Sequence, residues 1–164
     1  MKLGVVGSGS IVPFHLDALK AVGFTPTVVG TRPGSERTQS LAKKYSIATV
    51  ADNWSDVISA SVDAFLIAPE TSVTPEILRA AIGTGKPVLV EKPVGYASAE
   101  VAALGEAPQV LVGYNRRHYS STAKALELIQ NSSAVTFNAA IPESSWTTSM
   151  ASEAKVNTVL ANSV

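Results

Sequence analysis

The stretch Met1-Lys-Leu-Gly-Val-Val-Gly-Ser-Gly-Ser-Ile-Val-Pro-Phe-His15 decides the fold. Its apolar run, Lys2 to Val6, has the length of a buried strand and stops at Gly7. Gly7-Ser8-Gly9 supplies a tight turn, and Ile11 to Val22 reads as a helix with Phe14, Ala18, Leu19 and Val22 as its apolar residues. Strand, glycine turn and helix together are the context in which a Gly-x-Gly signals a dinucleotide site. Gly7 permits the turn, Gly9 lets the backbone approach a pyrophosphate, and the amides at the positive end of the helix face that anion. Val12 stands where a third glycine is usual. That position serves helix–strand packing, so the anion site survives the change. An ordinary strand-to-helix turn is the alternative.

Outward from this turn, the chain alternates strands and helices. Thr25 to Gly30 is the second apolar run, closed by Thr31-Arg32-Pro33-Gly34. A helix follows over 35–45 with Leu41, Ala42 and Tyr45 on its buried face. Ile47 to Val50 is a third strand, and Asp52 or Asn53 caps a brief helix carrying Trp54, Val57 and Ile58. Val62 to Ala68 reads as a strand covered on both faces and ends at Pro69. Thr74-Pro75-Glu76 combines an N-cap threonine, proline at the first helical position and an acid in the first turn. Strands over 87–90 and 109–112 flank a short helix over 98–104. Such alternation predicts an α/β fold, a doubly wound parallel sheet with right-handed crossovers.

After Gly113 the character changes. Tyr114-Asn115-Arg116-Arg117-His118 is polar and basic, Ser120 caps a helix with Ala125, Leu126, Leu128 and Ile129, and Ala134 to Ile141 reads as one more strand. We therefore expect a Rossmann-like dinucleotide-binding domain over 1–117 and the stub of a second α+β domain over 118–164. The lone strand of the stub has no visible partner. An open apolar edge of this kind pairs with a second copy or with another polypeptide.

Composition excludes several classes. Lys+Arg and Asp+Glu number 13 each, so nothing pulls the chain toward nucleic acid or a membrane surface. There is no cysteine, and His15 and His118 have no metal-ligand spacing, so no metal site is expected. No apolar run is long enough to span a bilayer. The N-terminus lacks the pattern of a secretory signal, and a cytoplasmic location follows.

Two places carry chemistry. Glu91-Lys92-Pro93 leaves the fifth strand at its carboxyl end, where ligands of open α/β sheets sit. There the Lys92 ammonium would hold an alcohol oxygen while hydride leaves the neighbouring carbon; a solvated lysine paired with Glu91 is the alternative. At the end of the second strand, NAD-selective sites place a carboxylate on the ribose hydroxyls. Here stand Thr31 and Arg32, with Ser35 and Arg37 behind. Thr31 as a donor and Arg32 as a cation predict NADP, with NAD possible.

These motifs in order resemble the glucose–fructose oxidoreductase and inositol dehydrogenase (Gfo/Idh/MocA) family. The resemblance rests on Gly7-Ser-Gly-Ser-Ile11 with His15, Val62-Asp63-Ala64 leading to Ala68-Pro69, Gly85 to Pro93, and Gly113-Tyr114-Asn115-Arg116-Arg117. It covers residues 1–141. It implies a nicotinamide dinucleotide as partner, contacted at Ser10, Ile11, Ala68, Pro69, Glu91, Lys92 and Asn115 besides the glycines. It also implies hydride transfer on a sugar, inositol or related hydroxy compound, a cis Lys92–Pro93 peptide with Lys92 as the catalytic residue near the nicotinamide, and a dimer surface in the second domain; a sugar, sugar derivative or nucleotide-sugar is the expected substrate partner.

The chain departs from the family at two places. Thr74 replaces a common histidine, and the catalytic histidine of the second domain would come where 155–164 ends. His15 reads as fixing the turn, and Trp146 as core or a sugar-stacking wall. The expectation is an oxidoreductase that is catalytically incomplete as this chain; the alternative is a nucleotide-binding regulatory or scaffold protein.

Overall fold

The computed structural model describes residues 1–133 and residue 136. Six strands are present among them: β1 (Lys2–Val6), β2 (Thr25–Gly30), β3 (Thr49–Ala51), β4 (Ala64–Ile67), β5 (Val88–Val90) and β6 (Val110–Val112). Six helices alternate with and follow them: α1 (Val12–Ala21), α2 (Glu36–Tyr45), α3 (Trp54–Ser59), α4 (Thr74–Ile82), α5 (Ser98–Ala102) and α6 (Ser120–Gln130). Every strand pair is parallel, in the order β3-β2-β1-β4-β5-β6. The order reverses between β1 and β4, which opens a crevice at their carboxyl ends where an open α/β sheet takes its ligand.

Alternation along the strands builds the two layers. Leu3, Val5, Val29, Ala64 and Leu66 point to the face covered by Val12 and Leu16 of α1 and by Leu41, Ala42 and Tyr45 of α2. Val6, Val28, Phe65, Ile67, Val88 and Val90 point to the opposite face, covered by Val57 and Ile58 of α3 and Ile77, Leu78 and Ala81 of α4. The central strands β1, β2 and β4 are thus apolar on both sides, as a sheet sandwiched between helices requires. The Tyr45 hydroxyl donates to the Pro13 carbonyl at 3.0 Å and ties the two helices together. Burial, helped by Asp17, raises its pKa above the ordinary tyrosine value, against a lowering contribution from Lys44.

Four local expectations are corrected. The buried stripe of α1 is Val12 and Leu16, while Phe14 and Val22 are 72% and 71% exposed. Val12 is itself sealed in the interface, so the residue in the third glycine position fills the helix–sheet contact. Ile47 precedes β3 instead of opening it: Ser46 takes a left-handed φ of 55°, and the Ile47 amide returns to the Ala42 carbonyl at 2.9 Å. That closure ends α2 and buries Ile47 as the apolar residue beyond the cap. Thr74 is the first residue of α4, not its cap. A 3₁₀ turn, Thr71–Val73, delivers the chain, and the buried Thr74 hydroxyl donates to the Glu70 carbonyl at 3.1 Å. Ser120 likewise opens α6 with Tyr119 at the cap position. The cap of α3 is as expected, with Asn53 accepting from the Asp56 amide at 3.0 Å.

The chain divides into two compact units, Met1–Gly113 and a second beginning at Tyr114. In the second, a 3₁₀ turn (Asn115–His118) precedes α6, and the Thr122 hydroxyl donates to the Arg116 carbonyl at 2.8 Å. The strand expected at Ala134 to Ile141, apart from Thr136, and Trp146 lie outside the described residues. Among the described residues no helix is long and apolar enough to cross a membrane.

Candidate functional site

Gly7 is where β1 becomes the turn, and only glycine fits there. Its φ is +117°, and a Cβ would lie 2.2 Å from the Ala68 carbonyl oxygen. Its amide donates to the Gly30 carbonyl at 3.3 Å, so the exits of β1, β2 and β4 converge on this one residue. Gly9 is the reverse case. A Cβ on it would meet no protein atom within 4 Å, so its face is open. Ile11 caps α1 without a side-chain bond, and among the described residues no acceptor pairs with the amides of Ser8, Gly9, Ser10 and Ile11. Four unpaired donors around an open glycine at the start of a ten-residue helix fit a pyrophosphate.

Gly7, Ser8 and Gly9 form one wall of a cavity of about 500 Å³. Thr31, Arg32, Ser35 and Arg37 come to it from the β2 side, and Ala68, Pro69 and Glu70 from the β4 side. Trp54, Val73 and Ile77 supply apolar surface suited to a flat base. No carboxylate reaches the cavity from the end of β2; Glu70 stands opposite. Thr31 differs from expectation in detail. Its hydroxyl lies 2.9 Å from the Thr38 hydroxyl, which itself donates to Ser8 Oγ at 3.1 Å. The single Thr38 hydrogen is spent on Ser8, so Thr31 must donate inward. Cations, not Thr31, are then left to meet a phosphate.

Beyond β5, His15 Nε2 and Glu91 Oε1 stand 2.6 Å apart, with side chains 20% and 17% exposed. Glu91 Oε2 accepts from the Lys92 amide at 3.0 Å. A Cβ on Gly113 would come within 3.1 Å of Glu91 Oε1, so that glycine leaves the carboxylate its room. The Lys92–Pro93 peptide is cis. His15 thereby anchors the segment that carries Lys92, a bond between residues 76 apart in sequence. His15→Ala and Glu91→Ala should each cost about 1.5–3 kcal/mol, the worth of a hydrogen bond to a charged group, and the double variant little more than either. Urea unfolding of the three variants checks this; fully additive losses would deny the coupling.

Of the residues singled out from sequence, Gly7, Gly9, Thr31, Arg32, Ala68 and Pro69 are brought together in the cavity. Ser10 lines the adjoining hollow between the starts of α1 and α2. Ile11 is exposed at the helix start, Glu91 and Lys92 are half-buried at the end of β5, and Asn115 belongs to the second unit. Trp54, Glu70, Val73, Ile77 and Thr38 join the site without being expected from sequence. The i, i+4 spacing of Val73 and Ile77 is the one signal that points to any of them.

The family model described as "Oxidoreductase family, NAD-binding Rossmann fold" (GFO_IDH_MocA) matches residues 1–111. The chain belongs to this family. A myo-inositol dehydrogenase of Streptomyces leeuwenhoekii is 33% identical over 106 residues, which are 64% of this chain and 32% of that protein. A solved oxidoreductase from Thermotoga maritima superposes with a TM-score of 0.68 at 28% identity, covering 79% of this chain and 43% of the other. A levoglucosan dehydrogenase in complex with NADH and levoglucosan gives a TM-score of 0.70 over 79% of this chain and 39% of that one; at 21% identity the likeness is one of fold. The chain spans about a third to two fifths of the length of the Gfo/Idh/MocA relatives it matches.

Proposed function

We propose that the cleft binds NADP(H), with NAD(H) as the weaker ligand, and that the chain serves oxidation or reduction at a hydroxyl-bearing carbon of a sugar, sugar derivative or nucleotide-sugar. The observation that carries this reading is the open Gly9 face and its unpaired amides, set beside Arg32 and Arg37. The amides suit the pyrophosphate, and the two guanidinium groups suit a 2′-phosphate through charge-assisted bonds. When bound, the dinucleotide supplies the acceptor for hydride. Lys92, at the end of β5, holds the substrate oxygen and eases loss of its proton. Glu91 and His15 fix the backbone from which Lys92 projects. Relatives named for myo-inositol support the substrate class.

Fluorescence titration with NADPH and NADH tests the cofactor preference. Arg32→Ala should raise the NADPH dissociation constant by about 10–100-fold, the loss of a charge-assisted contact, and leave NADH almost unchanged. Equal affinities in the parent chain, or a preference for NADH, would defeat the NADP assignment.

Taken alone, the 164 residues are proposed to bind cofactor but to be catalytically incomplete. We extend the proposal to self-association through the second unit, where α6 exposes Leu126, Leu128 and Ile129 and the segment 134–141 is apolar. Light scattering should show a mass above that of the single chain at high concentration; a strict monomer contradicts it.

A further inference from the structure

Thr38 touches none of the surfaces offered to a ligand. It is 2% exposed, in the first turn of α2, and its amide is held by Ser35 Oγ at 3.3 Å and by the Ser35 carbonyl at 3.1 Å. Its hydroxyl nevertheless joins two loops that both line the cavity: Thr31 after β2, at 2.9 Å, and Ser8 in the glycine turn, at 3.1 Å. A hydroxyl has one hydrogen and two lone pairs. Thr38 gives its hydrogen to Ser8 and accepts from Thr31, so the chain of three hydroxyls has one direction.

Both ends of that chain are thereby polarised. Thr31 Oγ1 has its hydrogen turned inward and presents lone pairs to the cavity. Ser8 Oγ has an accepted bond behind it and its own hydrogen unspent among the described residues. We propose that Thr38 is a positioning residue that makes Thr31 an acceptor for a ribose hydroxyl and Ser8 a donor to a pyrophosphate oxygen. This rests on the dinucleotide reading of the cleft and deepens it. The groups served are common to both nicotinamide cofactors: the pyrophosphate, and the 3′-hydroxyl of the adenosine ribose. Thr38 therefore supports binding as such, whereas Arg32 discriminates on the 2′-phosphate. Bonds in such a chain reinforce one another, so removing the middle member weakens both outer contacts.

The test measures dissociation constants of NADH and NADPH on the full chain by fluorescence, with thermal melts alongside. Thr38→Val should raise both constants by the same factor, about 10-fold for two weakened hydrogen bonds. Thr38→Ser, which restores the hydroxyl, should return both to within about twofold of the parent. Thr31→Val and Ser8→Ala remove the ends at half-buried positions and serve if Thr38→Val does not fold. Their double variant should lose clearly less than the product of the single losses. A wild-type constant in Thr38→Val, a loss confined to NADPH, no rescue by serine, or multiplicative losses at Thr31 and Ser8 would each overturn the assignment. A parent chain that binds neither cofactor would remove the dinucleotide reading itself, and this inference with it.

Discussion

Assayed alone with NADP(H) and a panel of sugars, inositols and nucleotide-sugars, the 164-residue chain is expected to turn over at or near background while still binding cofactor. Two losses combine. The first is acid–base help. Among the described residues the imidazoles are His15, committed to Glu91 at 2.6 Å, and His118 in the second unit. Proton-transfer assistance contributes typically about 10²–10⁴ in rate. The second is positioning. Relatives carry more than half of their length beyond the matched region, and a substrate held in no fixed pose forgoes up to about 7–11 kcal/mol. The loss of positioning outweighs the loss of proton transfer, so near-silence is expected instead of slow chemistry. Lys92→Ala is the control. Robust turnover abolished by that substitution would mean that the chain, or its oligomer, completes a site by itself. Cofactor binding with no turnover even in a chain extended to the relatives' length would favour a regulatory nucleotide-binding role.

The two glycines of the turn should respond in opposite ways to a single methyl group. Gly7→Ala forces a side chain into a positive-φ conformation and drives its Cβ toward the Ala68 carbonyl oxygen, 2.2 Å away. Backbone strain of about 1–2 kcal/mol and overpacking of about 1–3 kcal/mol add to roughly 2–5 kcal/mol, a large share of the stability of a small domain. Because β1, β2 and β4 meet there, cofactor binding should fail together with the fold. Gly9→Ala meets no protein atom within 4 Å and should leave the urea midpoint almost unchanged. Its methyl group instead occupies the face that a pyrophosphate must approach. Loss of one amide–phosphate bond, about 1.5–3 kcal/mol, corresponds to roughly 10–100-fold in the dissociation constant. Stable folding with normal binding in Gly9→Ala would move the anion elsewhere.

Much of the fold is legible in the residues, for definite reasons. Glycine and proline punctuation at Gly7, Gly30, Pro69 and Gly85 marks where each strand or helix stops, and strict alternation of element types implies a parallel sheet. Periodicity alone leaves the phase of α1 open. Phe14–Ala18–Val22 and Val12–Leu16 are both spaced by four, and only the sheet beneath decides which set is buried. Thr74 carries a helix-start signature that a preceding 3₁₀ turn displaces by one position. The pairs His15–Glu91 and Ser8–Thr38 join residues 76 and 30 apart, and a threonine inside a helix has no local signature of such a role. The cavity's end-of-β2 cations are readable because Arg32 sits on the loop after β2 and Arg37 in the first turn of α2, places the strand order dictates.

Titration of the parent chain with NADPH and NADH, repeated on Gly9→Ala, tests the assignment of the cleft most directly. Saturable binding of both, tighter for NADPH, with Gly9→Ala weakened about 10–100-fold at unchanged melting temperature is the expected result. Failure of the folded parent chain to bind either cofactor, or binding that Gly9→Ala leaves untouched, would contradict it.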